Sequence, residues 1–195
     1  PMEYVLQTDL QNNYDFKGVF VDPVQAILNE NKIENKVQSL LINGHQTSGN
    51  LFDIKDSETE MIQQIILSEI QKYRLIFRES DEGLIKKWPI DFDLYGWLLK
   101  MRNGGELRPH IHEQSWLSGS IYINTPPRLA GNRGDLVVSL GQETDVSGAC
   151  ENLSTIIKVE TGKLVLFPAS LTHHTIPFES EEERIVLAFD VKPKK

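Results

Sequence analysis

The sequence predicts a mainly β protein, an antiparallel sandwich or barrel behind N-terminal helices, and three observations carry that expectation. After Trp88 and Pro89 the chain falls into six short apolar runs, YGWLLKMR, SGSIYINT, GDLVVSLG, TIIKVE, KLVLFP and ERIVLAFDV, punctuated by Gly, Pro, Asn or acidic clusters. Before them, Ile62, Ile65, Ile66, Ile70, Tyr73 and Phe77 recur at spacings of three and four, the period of a helix with one apolar face. The 195 residues, 39% hydrophobic and 25% charged, are enough to bury a substantial core in one compact unit. Residues 1–88 read as a supporting α/β region and residues 89–195 as the β core, with no fixed repeat and no low-complexity segment.

Taken in order, GVFVD at residues 18–22 reads as a strand, and DPVQAILNEN reads as a helix with Asp22 as cap and Pro23 in its first turn. NGHQTSGN is loop-like, and His45 within it is incidental. Ser57 and Glu60 match a capping box, which starts a helix over about residues 58–78. ESEEER at residues 179–184 is a charged turn between strands, and the terminal KPKK is a solvated tail.

The charge pattern excludes some partners. With 28 acidic against 20 basic residues the net charge is -8, opposite to the basic surface that a nucleic-acid backbone needs. No stretch approaches the roughly 20 apolar residues that span a bilayer, so no membrane partner is expected. The start PMEYVLQTDLQ lacks the basic and apolar pattern of a secretory leader, and the single Cys150, read as a small core or loop residue, cannot form an internal disulfide. A cytoplasmic location follows as the expectation, with a homodimer formed through the N-terminal helices as a candidate assembly.

Chemistry concentrates in two segments, RPHIHEQSWLSG at residues 108–119 and FPASLTHHTIPF at residues 167–178. Residues i and i+2 of a strand share a face, so His110 and His112 can point together into a barrel mouth while Ile111 points away. His173 follows the strand KLVLF and a turn at Pro168, and can join them from across the sheet. Three ligands on one face of a metal leave open positions for small molecules, a layout that suits Fe(II) and oxygen chemistry better than structural zinc. The opposing reading is a set of exposed strand-end histidines with no metal. Strand alternation aims His174 away from the other three.

Arg184 heads the last apolar run, where a buried guanidinium needs an anion to meet it and favours a carboxylate held in a fork. The opposing reading is a rim arginine neutralised by Glu181 to Glu183. Ser118 and Tyr122 share the parity of His110 and are candidates to touch a bound cosubstrate. Arg108 and Trp116 are candidates to touch the primary substrate.

The joint pattern HxHxxxxLSGxxY, then G-x5-P-x4-H-x3-P, then an arginine before an apolar strand, closely resembles the 2-oxoglutarate/Fe(II)-dependent oxygenases of bacteria and phages, some of them fused to tetratricopeptide repeats. The resemblance covers about residues 94–191. It implies a double-stranded β-helix, the cupin-like jelly-roll barrel, with Fe(II) and 2-oxoglutarate as cofactors, and a hydroxylase that couples oxidative decarboxylation of 2-oxoglutarate to oxidation of a small-molecule or peptide substrate. It assigns His110 and His173 to the metal and Arg184 to the distal carboxylate of 2-oxoglutarate. The position usually held by Asp or Glu is His112 here, which makes His112 the third ligand, with Glu113 or water as the alternatives.

Two other readings stand beside it. G-x5-HxH from Gly104 and G-x5-P-x4-H from Gly162 echo the cupin motifs, although Trp116 and Leu117 stand where a cupin glutamate belongs. A barrel that binds a ligand without catalysis is the third.

Overall fold

The structure, a computed structural model, describes residues 1–30, 33–127, 131–141 and 154–194; Cys150 lies outside the described residues. Two antiparallel sheets face each other. The larger orders seven strands as β1 (Leu6–Asp9), β8 (Lys163–Pro168), β5 (Leu117–Asn124), β10 (Arg184–Pro193), β4 (Phe92–Leu107), β3 (Leu41–Thr47) and β2 (Asn35–Lys36). The smaller orders β7 (Ser154–Ile157), β6 (Leu136–Ser139) and β9 (Thr172–Thr175). All six apolar runs of the sequence lie on strands of these sheets, as a jelly roll requires.

Apolar character is most sustained on β8 and β10, which with β5 are buried on both faces of the larger sheet. Along β10, Val186 and Ala188 point into the barrel between the sheets, where they meet Tyr122, Leu136, Val138, Val165 and Phe167. Ile185, Leu187, Phe189 and Val191 point the other way, into a layer shared with α1 (Asp22–Asn29) and α2 (Ser57–Ile76). Alternation of side chains across a strand thus serves two cores at once. The N-terminal region contributes β1, β2 and β3 to the same sheet as well as these helices.

Four local expectations are corrected. GVFVD is helical: Lys17–Val21 forms a π-helical turn running straight into α1. Phe16, Phe20, Val24 and Ile27 are all buried, a spacing that suits one helical face, and the rings of Phe16 and Phe20 stack with centroids 5.1 Å apart. Asp22 is therefore inside the helical run and pairs with Lys17 at 2.7 Å instead of capping. The cap of α2 is Asp56, whose carboxylate accepts from the Thr59 amide at 2.8 Å, while the Ser57 hydroxyl turns to Glu58. Part of the expected tail belongs to the sheet, since β10 continues through Lys192 and Pro193.

Candidate metal centre

His110 and His112 lie beyond the end of β4, in the bend that leads to β5, and not on a regular strand as the i, i+2 spacing implied. Backbone bonds hold the bend. His110 and His173 exchange amide and carbonyl bonds at 3.2 and 3.0 Å, and the His112 amide donates to the Ala169 carbonyl at 3.0 Å. The bridge continues the smaller sheet past β9 by one residue pair, so the two sequence segments meet through main chain before any side chain is considered.

The side chains then converge. Among the described residues, one group of at least three His, Cys, Asp or Glu brings its ligand atoms together: His110, His112 and His173, all within 4.8 Å of one another. Every Nδ1 is engaged by oxygen. It lies 2.8 Å from the Arg108 carbonyl for His110, 3.2 Å from the Leu171 carbonyl for His173, and 2.7 Å from Asp190 Oδ1 for His112. Carbonyls and carboxylates accept, so each Nδ1 carries the proton and donates it, and each Nε2 lone pair is left for the metal. His173 is 6% exposed, and burial holds its imidazole well below the ordinary value of 6.5; burial also lowers His110. Both rings are therefore neutral and ready to ligate at neutral pH.

At the other end of the same cavity lies Arg184, 1% exposed. The reading of Arg184 as a rim residue neutralised by acidic neighbours does not hold: Lys100 and Arg102 take Glu183, while Arg184 turns inward. One of its terminal nitrogens donates to the Gly134 carbonyl, and its side chain lies over the Tyr122 ring with Cζ 5.1 Å from the centroid. Nε and the other terminal nitrogen are buried with no hydrogen-bond partner. Burial pulls the guanidinium below its ordinary value and pushes the Tyr122 phenol up to about 12. Two donors of a buried cation, left unsatisfied and facing a cavity that also contains three imidazoles, fit a carboxylate that enters from the metal side.

The other expected residues are distributed differently. Ser118 gives its hydroxyl to Asp190 Oδ1 at 2.7 Å and sits 3.3 Å from His112 Nδ1, so it supports a histidine and is not free to hold a cosubstrate. Glu113 is exposed at the mouth, outside the converging group. Arg108 contributes its backbone to His110, while its side chain is exposed. The indole N–H of Trp116 donates to the Leu84 carbonyl at 2.9 Å beside α3 (Gly83–Lys86), and the ring lines a separate cleft with Tyr4, Leu84 and Pro168. His45 is exposed on β3.

Sequence reading missed two contributors. Asp190, 4% exposed within the apolar strand RIVLAFDV, is the carboxylate behind His112, and an acid inside so apolar a strand was the available signal. Trp97 places its ring 5.8 Å from that of His112. Together with Tyr95 it lines a cleft of about 360 Å³ that opens above His110 and His112.

With this geometry in hand, the comparisons with known proteins are specific. A family described as "Putative 2OG-Fe(II) oxygenase" matches residues 95–190, the span that holds all three histidines and Arg184. No curated protein sequence matches. Among solved structures, a prolyl-4-hydroxylase from Pseudomonas putida superposes with a TM-score of 0.66 at 13% identity, over 98% of this chain and 93% of its own. A prolyl hydroxylase from Trichoplax adhaerens, solved in complex with a hypoxia inducible factor peptide fragment, gives 0.66 at 12% identity over 96% and 83%. HygX from Streptomyces hygroscopicus, solved with nickel and 2-oxoglutarate bound, gives 0.60 at 12% over 97% and 83%. At these identities the superpositions establish the double-stranded β-helix, and the family match supplies the chemistry. Residues 95–190 of the chain belong to the 2OG-Fe(II) oxygenase family.

Proposed function

We propose that His110, His112 and His173 hold the ferrous ion and that Arg184 receives the distal carboxylate of 2-oxoglutarate, in an enzyme that hydroxylates a peptide or small molecule entering above the histidines. The observation that carries this reading is the common state of the three rings, with each Nδ1 tied to an oxygen and each Nε2 left free within one small cluster. Bound iron and 2-oxoglutarate supply the oxidising chemistry, in which decarboxylation of the keto acid is coupled to oxidation of a C–H bond.

The chain's own residues orient and enclose. Arg184 offers two buried donors in its planar fork, and Tyr122 stacked beneath it keeps water from the guanidinium. The walls between Arg184 and the histidines, Val186, Ala188, Phe167 and Leu136, are apolar, so charged groups placed there interact in a medium of low dielectric. At the mouth, Tyr95 and Trp97 form an aromatic wall with Lys192 over the Tyr95 ring at 4.1 Å. An open cleft of this size takes a short extended peptide or a compact small molecule, and the target C–H has to reach past Trp97 toward His112.

Anaerobic addition of 2-oxoglutarate to the Fe(II)-loaded protein tests the assignment. A visible charge-transfer band in the wild type that weakens in Arg184→Ala is expected. Bound iron without a band would remove the cosubstrate from the proposal, and failure to bind iron would remove the metal site.

A further inference from the structure

A facial iron site built from two imidazoles and a carboxylate carries one negative charge among its protein ligands. Here the three converging groups are imidazoles, which bring none. A negative charge is nevertheless present one hydrogen bond away. Asp190 Oδ1 lies 2.7 Å from His112 Nδ1 and 2.7 Å from the Ser118 hydroxyl, which is itself 3.3 Å from that nitrogen, so three polar groups close a small triangle. Backbone register fixes the triangle, because Asp190 of β10 stands directly opposite Ser118 of β5. Among the described residues, the ion pair recorded for Asp190 is the one with His112, and no Lys or Arg side chain competes for it.

From this we infer that Asp190 is a positioning residue of the metal centre, standing in from behind His112 for the carboxylate that His112 replaces. This rests on the three-histidine reading above. By accepting the Nδ1 proton, Asp190 fixes the tautomer and ring angle of His112, and its charge increases the donor strength of Nε2. At 4% exposure the carboxylate is shielded from water, so its charge is felt by the ring and not dissipated in solvent. Ser118 supplies a second donor that keeps Oδ1 aimed at the ring. A histidine and an aspartate in series thus deliver the charge that a direct aspartate ligand would.

Anaerobic Co(II) titration, followed by the visible absorption of the bound ion, tests this without needing a substrate. Asp190→Asn is expected to weaken Co(II) by roughly 10- to 100-fold, the usual loss when a carboxylate behind a metal-bound histidine is removed, and to shift the visible band. Unfolding of the metal-free variant should stay close to wild type. Moving the charge back into the ligand set, in the double variant His112→Asp with Asp190→Asn, is expected to restore affinity to within a few-fold of wild type. If Asp190→Asn does not fold, Asp190→Ser, whose hydroxyl can meet Ser118, is read in the same way. Unchanged affinity and spectrum on loss of the Asp190 charge would overturn the inference, and so would a double variant no tighter than the single one. A wild-type chain that takes up no Co(II) would instead overturn the three-histidine reading itself.

Discussion

Arg184 and the histidines pull stability and function in opposite directions. A buried cation with two unsatisfied donors destabilises the ligand-free fold, and apolar replacements of such groups are often neutral or stabilising. Arg184→Met is therefore expected to unfold at no lower temperature than wild type when no dicarboxylate is present. The same variant should need much more 2-oxoglutarate for half-maximal decarboxylation, by a factor corresponding to about 2 kcal/mol or more, as measured by succinate release. The histidines impose a pH dependence. His110 and His173 are held below 6.5 in the fold, mainly by burial, so around that pH the unfolded chain binds more protons than the folded one. Stability of the metal-free protein then falls as the pH drops below about 6.5 and is level at higher pH. Thermal unfolding in chelator between pH 5.5 and 8 reads this directly, and His173→Gln should flatten the profile. At this scale the sequence was informative: His110, His112, His173 and Arg184 were singled out from spacing, strand position and family pattern. Asp190 was not, because its role depends on a cross-strand neighbour 72 positions earlier, Ser118, and on His112, 78 positions earlier.

Among the elements, the strands most plainly legible in the sequence are β5, β8 and β10, which are buried on both faces, since sustained apolar character is what such a position demands; β7 was legible too, although it is mostly exposed. β1 and β3 were missed because LQTD and LINGHQT are short or polar. β3 also breaks its register at Asn43, which takes φ of 50° beside Gly44, so the alternation that would mark a strand is interrupted. Close packing between elements sets a different constraint at Gly119 of β5. A Cβ there would stand 2.2 Å from the Phe189 ring of β10, at the strand pair that also aligns Ser118 with Asp190. Gly119→Ala is expected to destabilise by about 1 to 3 kcal/mol, the range for overpacking a core, and denaturant unfolding measures it. Because the displaced ring belongs to β10, the variant should also weaken metal binding, whereas an equally destabilising change in α2, such as Ile66→Val, should leave it unchanged.

For the whole molecule, the proposed metal centre draws on both sheets: His173 lies on the smaller one, and Asp190 backs His112 from the larger. A ligand that needs both sheets in place stabilises their closed arrangement. Ni(II) at about one hundred times its dissociation constant should raise stability by about 2.7 kcal/mol. For a chain of this size that corresponds to a rise in unfolding temperature of roughly 5 to 10 °C, and His173→Ala should abolish it. No helix among the described residues is long and apolar enough to cross a membrane. The jelly-roll architecture was accessible from the punctuation of six runs, but the way the N-terminal strands extend the larger sheet was not, since long-range pairing leaves little local trace.

The unbroken pairing of β10 with β4, from Arg184 opposite Met101 to Pro193 opposite Phe92, makes β10 a ruler. Arg184 and Asp190 stand six residues apart on one face, about 20 Å of strand at 3.3 Å per residue, and in the proposed site one would mark the carboxylate end of the cavity and the other the metal end. A keto diacid one methylene shorter or longer than 2-oxoglutarate would miss one mark, and a single inserted residue would turn one of the two out of the barrel. On the proposed assignment, cosubstrate selectivity would be a length measured along one strand.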